Sequence, residues 1–331
     1  MPDDRIRLAV PSARALAERA LAGLGYAAEE ACIIADHVVD AALCGYEYSG
    51  LAKILNIPDS PRFAAPRRPM TVLRETEIST LYDGGNEIGM LTLHHAATAA
   101  IAKATAGGVA LIGVTNSWMS GRSAHFVERI ARADLVALHT AGAARAVAPF
   151  GGTRPALGTN PIAFALPTSR GPVVFDMGTA AFMTTELMLR ERRGESLPQG
   201  VALDADGAPT TDPASARQGA LLPFGGYKGF GLALMVQALG VLAGSALDLE
   251  GDNGYLFIVF KPDLLTPLDA FKREMTALVD RVKATPRQPG VDEIRIPSER
   301  AFRNRERALA EGIEIDRAVH EALERMAAVR G

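Results

Sequence analysis

Cysteine is scarce in this chain, and several patterns that identify common protein classes are missing. The 331 residues contain two cysteines, Cys32 and Cys44, and both lie in apolar sequence with a helical pattern. This pattern favours two buried thiols in a reducing compartment over a disulfide framework. Neither cysteine is a good candidate for a nucleophile.

Long blocks of like charge and long apolar runs are also missing. The net charge is −3 and no run of five or six like charges occurs, so nothing indicates a nucleic-acid or membrane surface. The most apolar stretch, residues 231–247, is interrupted by Gly240 and Gly244 and is shorter than the ~20 residues of a bilayer span. We predict a buried helix there. The acidic N-terminus does not fit a secretory signal, so we expect a cytoplasmic protein.

The usual phosphate-binding fingerprints do not occur. No GxGxxG follows a strand, and no Walker spacing is present. The chain has instead a glycine-rich turn at 225–231 with Lys228 at a helix start, where backbone amides, an ammonium and the helix dipole favour an anion. A plain helix-entry turn is the alternative interpretation.

What is present is a long alternation of helices and strands. With 48% hydrophobic and 22% charged residues, the chain can bury a large core. Periodicity predicts strands at 6–10, 72–76, 79–82, 109–114, 135–140, 162–166, 172–177, 256–260 and 294–296. It predicts further helices at 11 to about 23, 28–43, 88–105, 123–132, 179–193, 267–285, 298–311 and 316–329.

The remaining segments are predicted to be connections. These are a proline-rich connector at 58–69, a turn at 83–85 and a long polar loop at 197–216. The adjacent His94 and His95 would point about 100° apart on one helix, with no acidic residue at ligand spacing, so we exclude a metal site there.

Two long blocks carry a family resemblance. The run APFGG…LGTNPIAFALPT…VFDMGT within 142–180 and the block LPFGGYKGFGLALMV at 222–236 resemble the malate/L-lactate dehydrogenase family that lacks a Rossmann fold. That family includes ureidoglycolate dehydrogenase, sulfolactate dehydrogenase and the Δ1-piperideine-2-carboxylate/Δ1-pyrroline-2-carboxylate reductases. The similarity runs from about residue 8 to the C-terminus.

The resemblance implies an α/β fold with a mixed sheet of about seven strands flanked by helices. It implies a helical lobe formed by residues 1–60 and 297–331, and a body at 61–296 that binds cofactor and substrate. A homodimer with NADP or NAD as cofactor is expected, together with a small-molecule carboxylate substrate. Cofactor contacts carried over by position are Ser120, Gly121, Arg122, Asp176, Met177, Gly178, Lys228, Ser298, Glu299 and Arg300. Substrate contacts carried over are Lys53, Thr159 and Thr184.

The chain departs from the family pattern at its catalytic histidines. The usual Asp-Ser-His-Gly element with a following arginine is here Glu47-Tyr48-Ser49-Gly50 with Lys53, and a second family histidine is Met119. Tyr48, Ser49 and His125 are therefore the candidate catalytic residues, with Tyr48 as the first choice of proton donor and His125 as the second. The alternative is that Tyr48 and Ser49 only cap a helix and pack.

A missing acid affects ketones more than imines. A ketone becomes an alkoxide that needs a proton in the transition state, and a well-placed donor accelerates such a step about 10²–10⁴-fold. An imine is protonated before the hydride arrives. We therefore expect an NAD(P)H-dependent oxidoreductase acting on a small 2-imino or 2-oxo carboxylate, with a cyclic imine preferred. The alternatives are a 2-hydroxy-acid dehydrogenase of malate or lactate type and a cofactor-binding member that has lost hydride transfer.

Overall fold

The computed structural model describes residues 4–246 and 253–328. Within them the strands are β1 (Arg5–Leu8), β2 (Thr71–Glu75), β3 (Ser79–Ile88), β4 (Val109–Trp118), β5 (Val136–Ala141), β6 (Ile162–Leu166), β7 (Val173–Met177), β8 (Ala202–Leu203), β9 (Ala220–Leu221), β10 (Asn253–Phe260) and β11 (Ile313–Asp316). Seven of them form one sheet in the order β2-β3-β4-β10-β5-β6-β7. Only β3 and β4 are parallel in it, which confirms the predicted mixed sheet.

Helices flank this sheet. They are α1 (Val10–Gly23), α2 (Ala28–Leu43), α3 (Gly89–Gly107), α4 (Ser123–Ala131), α5 (Thr184–Arg193), α6 (Pro213–Gln218), α7 (Tyr227–Leu242), α8 (Leu268–Lys283), α9 (Glu299–Glu311) and α10 (Arg317–Ala328). Short 3₁₀ segments occupy Glu47–Ser49, Leu51–Asn56 and Pro262–Leu264. None of the helices in the described ranges is both long and apolar enough to cross a bilayer.

The two faces of the sheet are covered differently. Ile112 and Val114 of β4 pack into one core with α3 and α4. Gly113, which lies between them, faces Ala243 at the end of α7 on the other side. A strand alternates its side chains between faces, so this single strand shows that α3 and α7 lie on opposite sides of the sheet.

A separate core joins the two ends of the chain. Residues of α1, α2, α10 and the 3₁₀ segments pack together with the β1–β11 pair. The same core also includes Ile88, Met90 and Trp118 from the sheet region. The division into a lobe of 1–60 plus 297–331 and a body of 61–296 stays a prediction.

Four predicted elements were wrong in type or extent. The turn at 83–85 is part of β3, because Gly85 and Asn86 take positive φ values of 65° and form an irregularity that the strand passes through. The segment 294–296 is not a strand. The polar loop contains β8 and α6, and the helix predicted from residue 179 begins at Thr184. The thiol of Cys32 is exposed, whereas Cys44 is buried as predicted.

The helix predicted as buried at 231–247 is α7, and it is exposed on one side. Met235 and Leu242 are 55% and 72% exposed, while Leu247 falls outside the described residues. The opposite side approaches the sheet closely through glycines: a Cβ at Gly254 would lie 2.1 Å from the carbonyl oxygen of Gly240. When a helix is apolar on all sides, its sequence does not indicate which side the rest of the chain covers.

Replacing Gly254 with alanine should destabilise the protein by about 2–3 kcal/mol, because backbone must move to admit the methyl group. Gly231→Ala, also in α7, meets nothing within 4 Å and should stabilise by about 0.5–1 kcal/mol through helix propensity. Urea unfolding of both variants measures the difference. Equal stability of Gly254→Ala and wild type would contradict the close contact.

Candidate active site

A cavity of about 650 Å³ opens beside the 3₁₀ segments that follow α2. We call it the Lys53 cavity. Six of the predicted site residues come together on its wall: Ser49, Lys53, Ser120, Gly121, Thr159 and Thr184. Its volume lies in the range of small-molecule sites.

Lys53 reaches this cavity because of the glycine before its segment. A Cβ at Gly50 would lie 3.0 Å from Cβ of Ala42, so glycine lets the chain pass closely over α2. Lys53 is only 5% exposed. Its backbone N–H donates to the carbonyl oxygen of Gly50 at 2.9 Å, but its ammonium has no hydrogen bond or ion pair with the residues that the structure describes. Burial lowers the pKa of its ammonium to about 8.

Lys53 shares the cavity with Ser49 and Met119, the two residues that replace the histidines of the family pattern. Ser49 is buried and lies one helical turn before it. Met119, where the second family histidine would stand, lines the wall with a φ of 55°. Neither side chain titrates near neutral pH.

The turn after β4 is fixed from behind by His37. Nε2 of His37 accepts a hydrogen bond of 2.8 Å from the backbone N–H of Arg122. A Cβ at Gly121, whose φ is +79°, would lie 2.1 Å from the same nitrogen. Burial, together with nearby His125, lowers the pKa of His37 well below its usual range. The ring is therefore a neutral acceptor that holds Ser120 and Gly121 in place.

Two of the predicted cofactor contacts, Arg122 and Arg300, lie outside the cavity next to Tyr46. The guanidinium carbons of Arg122 and Arg300 are 5.1 and 5.9 Å from the centre of the Tyr46 ring, and we call these three residues the Tyr46 cluster. Asp176 accepts a hydrogen bond of 2.8 Å from the N–H of Ala124 at the start of α4. Burial raises the pKa of Asp176 despite this bond.

The residues next to Asp176 connect this region to the cavity. A Cβ at Gly178 would lie 2.6 Å from Sδ of Met183, which lines the cavity. Met177 pairs with Ile162 across β6 and β7. The N–H of Thr179 donates to the carbonyl oxygen of Thr159 at 2.9 Å.

The two predicted proton donors are not on the cavity wall. Tyr48 packs against the core of the terminal helices, and burial followed by the charge of Glu186 raises the pKa of its hydroxyl. Nδ1 of His125 lies 3.3 Å from the carboxylate of Asp40. Their catalytic roles stay predictions.

The remaining predicted contacts are spread over the surface. Lys228 is exposed in the first turn of α7. Ser298 precedes α9 with a φ of 63°. The carboxylate of Glu299 pairs with Lys283 and Arg303 and accepts a hydrogen bond from the N–H of Ile296. In a single chain, these residues are not part of the Lys53 cavity.

Sequence reasoning missed several residues of the cavity wall. Asn56 is buried there, and its Oδ1 has no hydrogen-bond partner in the structure. Arg62 stands in the proline-rich connector, and its guanidinium donates to Oδ1 of Asn86 and of Asn116 at 2.7 and 2.8 Å. Both asparagines have positive φ. This conformation marks an irregular backbone beside Arg62, of a kind that is common at functional sites.

Lys53→Met should stabilise the protein below pH 8. The pKa of Lys53 falls from 10.5 to about 8 on folding, so the folded state opposes its charge by about 3 kcal/mol when both states are protonated. As the pH rises, Lys53 loses its proton in the folded state before it does so in the unfolded state. The penalty therefore decreases between pH 8 and 10.5. Urea unfolding at pH 7 and pH 10 should show an advantage for methionine that decreases at the higher pH. An advantage independent of pH would contradict a charged, unpaired Lys53.

Comparison with known proteins identifies the family of this chain. A family model described as malate/L-lactate dehydrogenase matches residues 8–324. L-sulfolactate dehydrogenase of Methanothermobacter thermautotrophicus is 34% identical over 308 residues, which cover 89% of each chain. Δ1-Pyrroline-2-carboxylate reductase of Ancylobacter novellus is 34% identical over 339 residues, which cover 97% of this chain and 98% of the relative.

A solved structure shares the fold as well. Δ1-Piperideine-2-carboxylate reductase from Pseudomonas syringae pv. tomato superposes with a TM-score of 0.83 at 29% identity, covering 97% of this chain and 99% of that one. The resemblance seen in the sequence is thereby confirmed. The chain belongs to the malate/L-lactate dehydrogenase family of NAD(P)-dependent oxidoreductases.

Proposed function

We propose that this enzyme reduces a small 2-imino or 2-oxo carboxylate with NADPH or NADH, and that a cyclic imine of the Δ1-piperideine-2-carboxylate or Δ1-pyrroline-2-carboxylate type is preferred. The observation that carries this proposal is the buried ammonium of Lys53 on a cavity that has Ser49 and Met119 in place of histidines. The cavity can attract an anion, yet no imidazole on its described wall can protonate an alkoxide.

The substrate carboxylate is held by charge and by hydroxyl groups. Lys53 supplies the charge, and Thr159 and Thr184 line the same cavity. Thr184 is the first residue of α5, whose N-cap Met183 makes no side-chain hydrogen bond. The free N–H groups and the dipole of a helix N-terminus favour an anion. An unpaired ammonium and an uncapped helix start on one wall therefore support a carboxylate site.

The cofactor fits the residues beside the cavity. Arg122 and Arg300 converge on the ring of Tyr46. Arg122 is buried and paired with Asp40, whereas Arg300 is exposed, and an exposed guanidinium suits phosphate oxygens. Gly121 lies next to Arg122 and lines the cavity, so the Tyr46 cluster and the substrate cavity adjoin. When bound, a reduced nicotinamide dinucleotide supplies the hydride. Asp176, Met177, Gly178, Lys228, Ser298 and Glu299 complete the proposed set of contacts.

Purified enzyme should oxidise NADPH or NADH with Δ1-piperideine-2-carboxylate at a kcat/KM at least tenfold higher than with pyruvate or oxaloacetate. The reason is that an imine nitrogen accepts its proton before hydride transfer, whereas an alkoxide needs a stronger acid during it. Initial rates with both cofactors and all three substrates decide this.

Two results would contradict the proposal in different ways. A higher kcat/KM for oxaloacetate or pyruvate would favour the 2-hydroxy-acid dehydrogenase. Tight dinucleotide binding without turnover of any substrate would favour a cofactor-binding protein that no longer transfers hydride.

A homodimer is part of the proposed function. Leu234, Met235, Val241 and Leu242 leave one side of α7 apolar and exposed, and such a surface fits a subunit contact.

The double variant Met235→Asp/Leu242→Asp should sediment as a monomer, because two buried carboxylates would oppose association. Leu265→Asp is the matched control, since Leu265 is 91% exposed and is not part of α7. Wild-type enzyme that sediments as a monomer at micromolar concentration would refute the dimer.

A further inference from the structure

The family pattern divides two functions between two residues, and in this chain Lys53 is placed to perform both. The pattern has a histidine at position 49 that gives a proton and an arginine at position 53 that binds the carboxylate. This chain has Ser49 and Lys53 on one wall of the cavity. An arginine cannot give up a proton near neutral pH, whereas a lysine ammonium in an apolar site can.

We propose that Lys53 is the proton donor of the reaction, and that its ammonium binds the substrate carboxylate and protonates the neighbouring imine nitrogen or keto oxygen. This inference rests on the proposed reductase function. Tyr48 and His125 do not line the cavity, whereas Lys53 does.

The geometry of the substrate class allows both contacts at once. In a 2-imino or 2-oxo carboxylate the reacting heteroatom and a carboxylate oxygen are on adjacent carbons, so both can face the same group. An ammonium carries three N–H donors. One N–H can therefore hold the carboxylate oxygen while another points at the heteroatom that must be protonated.

The reduction consists of one hydride addition and one proton transfer. When bound, a reduced nicotinamide would supply the hydride for the new C–H bond at carbon 2, and the π electrons of the C=N or C=O bond would go to the heteroatom. The heteroatom takes a proton from Nζ of Lys53, before hydride addition for an imine nitrogen and during it for a keto oxygen. Lys53 becomes a neutral amine and is reprotonated by solvent. Oxidation of product uses the neutral amine of Lys53 as the base.

Within residues 4–246 and 253–328, no carboxylate pairs with the ammonium of Lys53. The other ionisable side chains on the cavity wall are Asp59, Arg62, Arg145 and Tyr255, and Asp59 pairs with Arg192 at 3.0 Å. Neutral His37 lies behind Gly121. Burial is the one cause that lowers the pKa of Lys53 to about 8, so its acid form predominates at neutral pH and its base form is accessible just above.

This donor is compatible with the imine preference. The ammonium is a weaker acid than an imidazolium, and the efficiency of acid catalysis follows acid strength. Lys53 therefore replaces the missing histidines only partly for a ketone. For an imine, whose nitrogen is already basic, it is sufficient.

The test compares Lys53→Arg, Lys53→Met and the surface control Lys103→Arg. In wild type, kcat/KM for reduction should fall above pH about 8, because the free enzyme loses the acid form. Lys53→Arg should keep KM within about threefold, because the carboxylate contact remains, but lower kcat at least 10²-fold and remove the fall near pH 8. Lys53→Met should lower kcat and raise KM, and Lys103→Arg should match wild type.

A binding experiment gives a readout that does not need turnover. Picolinate carries a ring nitrogen next to a carboxylate and cannot be reduced by hydride in this site. Calorimetric titration, with and without NADPH, should show picolinate affinity that decreases at least tenfold between pH 7 and pH 9.5 in wild type. In Lys53→Arg the affinity should stay constant over that range.

The outcomes separate the two proposals. If wild type turns over but Lys53→Arg retains its kcat and its pH profile, Lys53 is not the donor. A 10²-fold loss of kcat in Tyr48→Phe combined with normal turnover of Lys53→Arg would assign the donor role to Tyr48. If wild type oxidises neither NADPH nor NADH with any imine or ketone, the proposed function fails, and the donor role fails with it.

Discussion

The carboxylate of Asp40 holds the parts of the candidate active site together. Three side chains from other elements meet it: Arg122 at 2.9 Å, Arg305 at 3.0 Å and Nδ1 of His125 at 3.3 Å. Arg305 also forms two hydrogen bonds of 2.7 Å with Glu128. Burial opposes the ionisation of Asp40, but the His125 contact and the two guanidiniums lower its pKa far below the usual range. Removing this charge would leave buried guanidiniums without a partner, which typically costs about 3–5 kcal/mol.

This network also engages the two histidines next to it, His37 and His125. Asp40 is on α2, whose C-terminal end leads into the segment with Lys53, and Arg122 is in the turn that lines the cavity. The network thus fixes both walls. It does so with His37 as an acceptor for Arg122 and His125 as a partner of Asp40. His37 lies directly behind Gly121, and His125 lies against Asp40.

The sheet was predictable from sequence because its strands are apolar, short and separated by glycine or proline turns. The failures have physical causes. A Gly-Gly pair predicts a turn, but at Gly85 the neighbouring strand continues the pairing across an irregularity. The exposure of α7 depends on what covers it, which periodicity cannot reveal. Ser49, Lys53 and Thr159 were found through motifs, whereas Asn56 and Arg62 lie in segments without periodicity and reach the cavity only through tertiary contacts.

The unpaired charge of Lys53 links substrate binding to proton supply. A buried ammonium without a counterion is unfavourable, and its lowered pKa expresses that cost. A carboxylate that enters the cavity provides the missing counterion, and by linkage it must raise the pKa of Lys53 and the fraction of Lys53 that is protonated. The anion that is to be reduced therefore brings the acid form of its own donor into place. An arginine at this position would bind the same anion without this coupling, because its protonation never changes. The instability that Lys53 introduces is thus the property that allows one side chain to recognise the substrate and to protonate it.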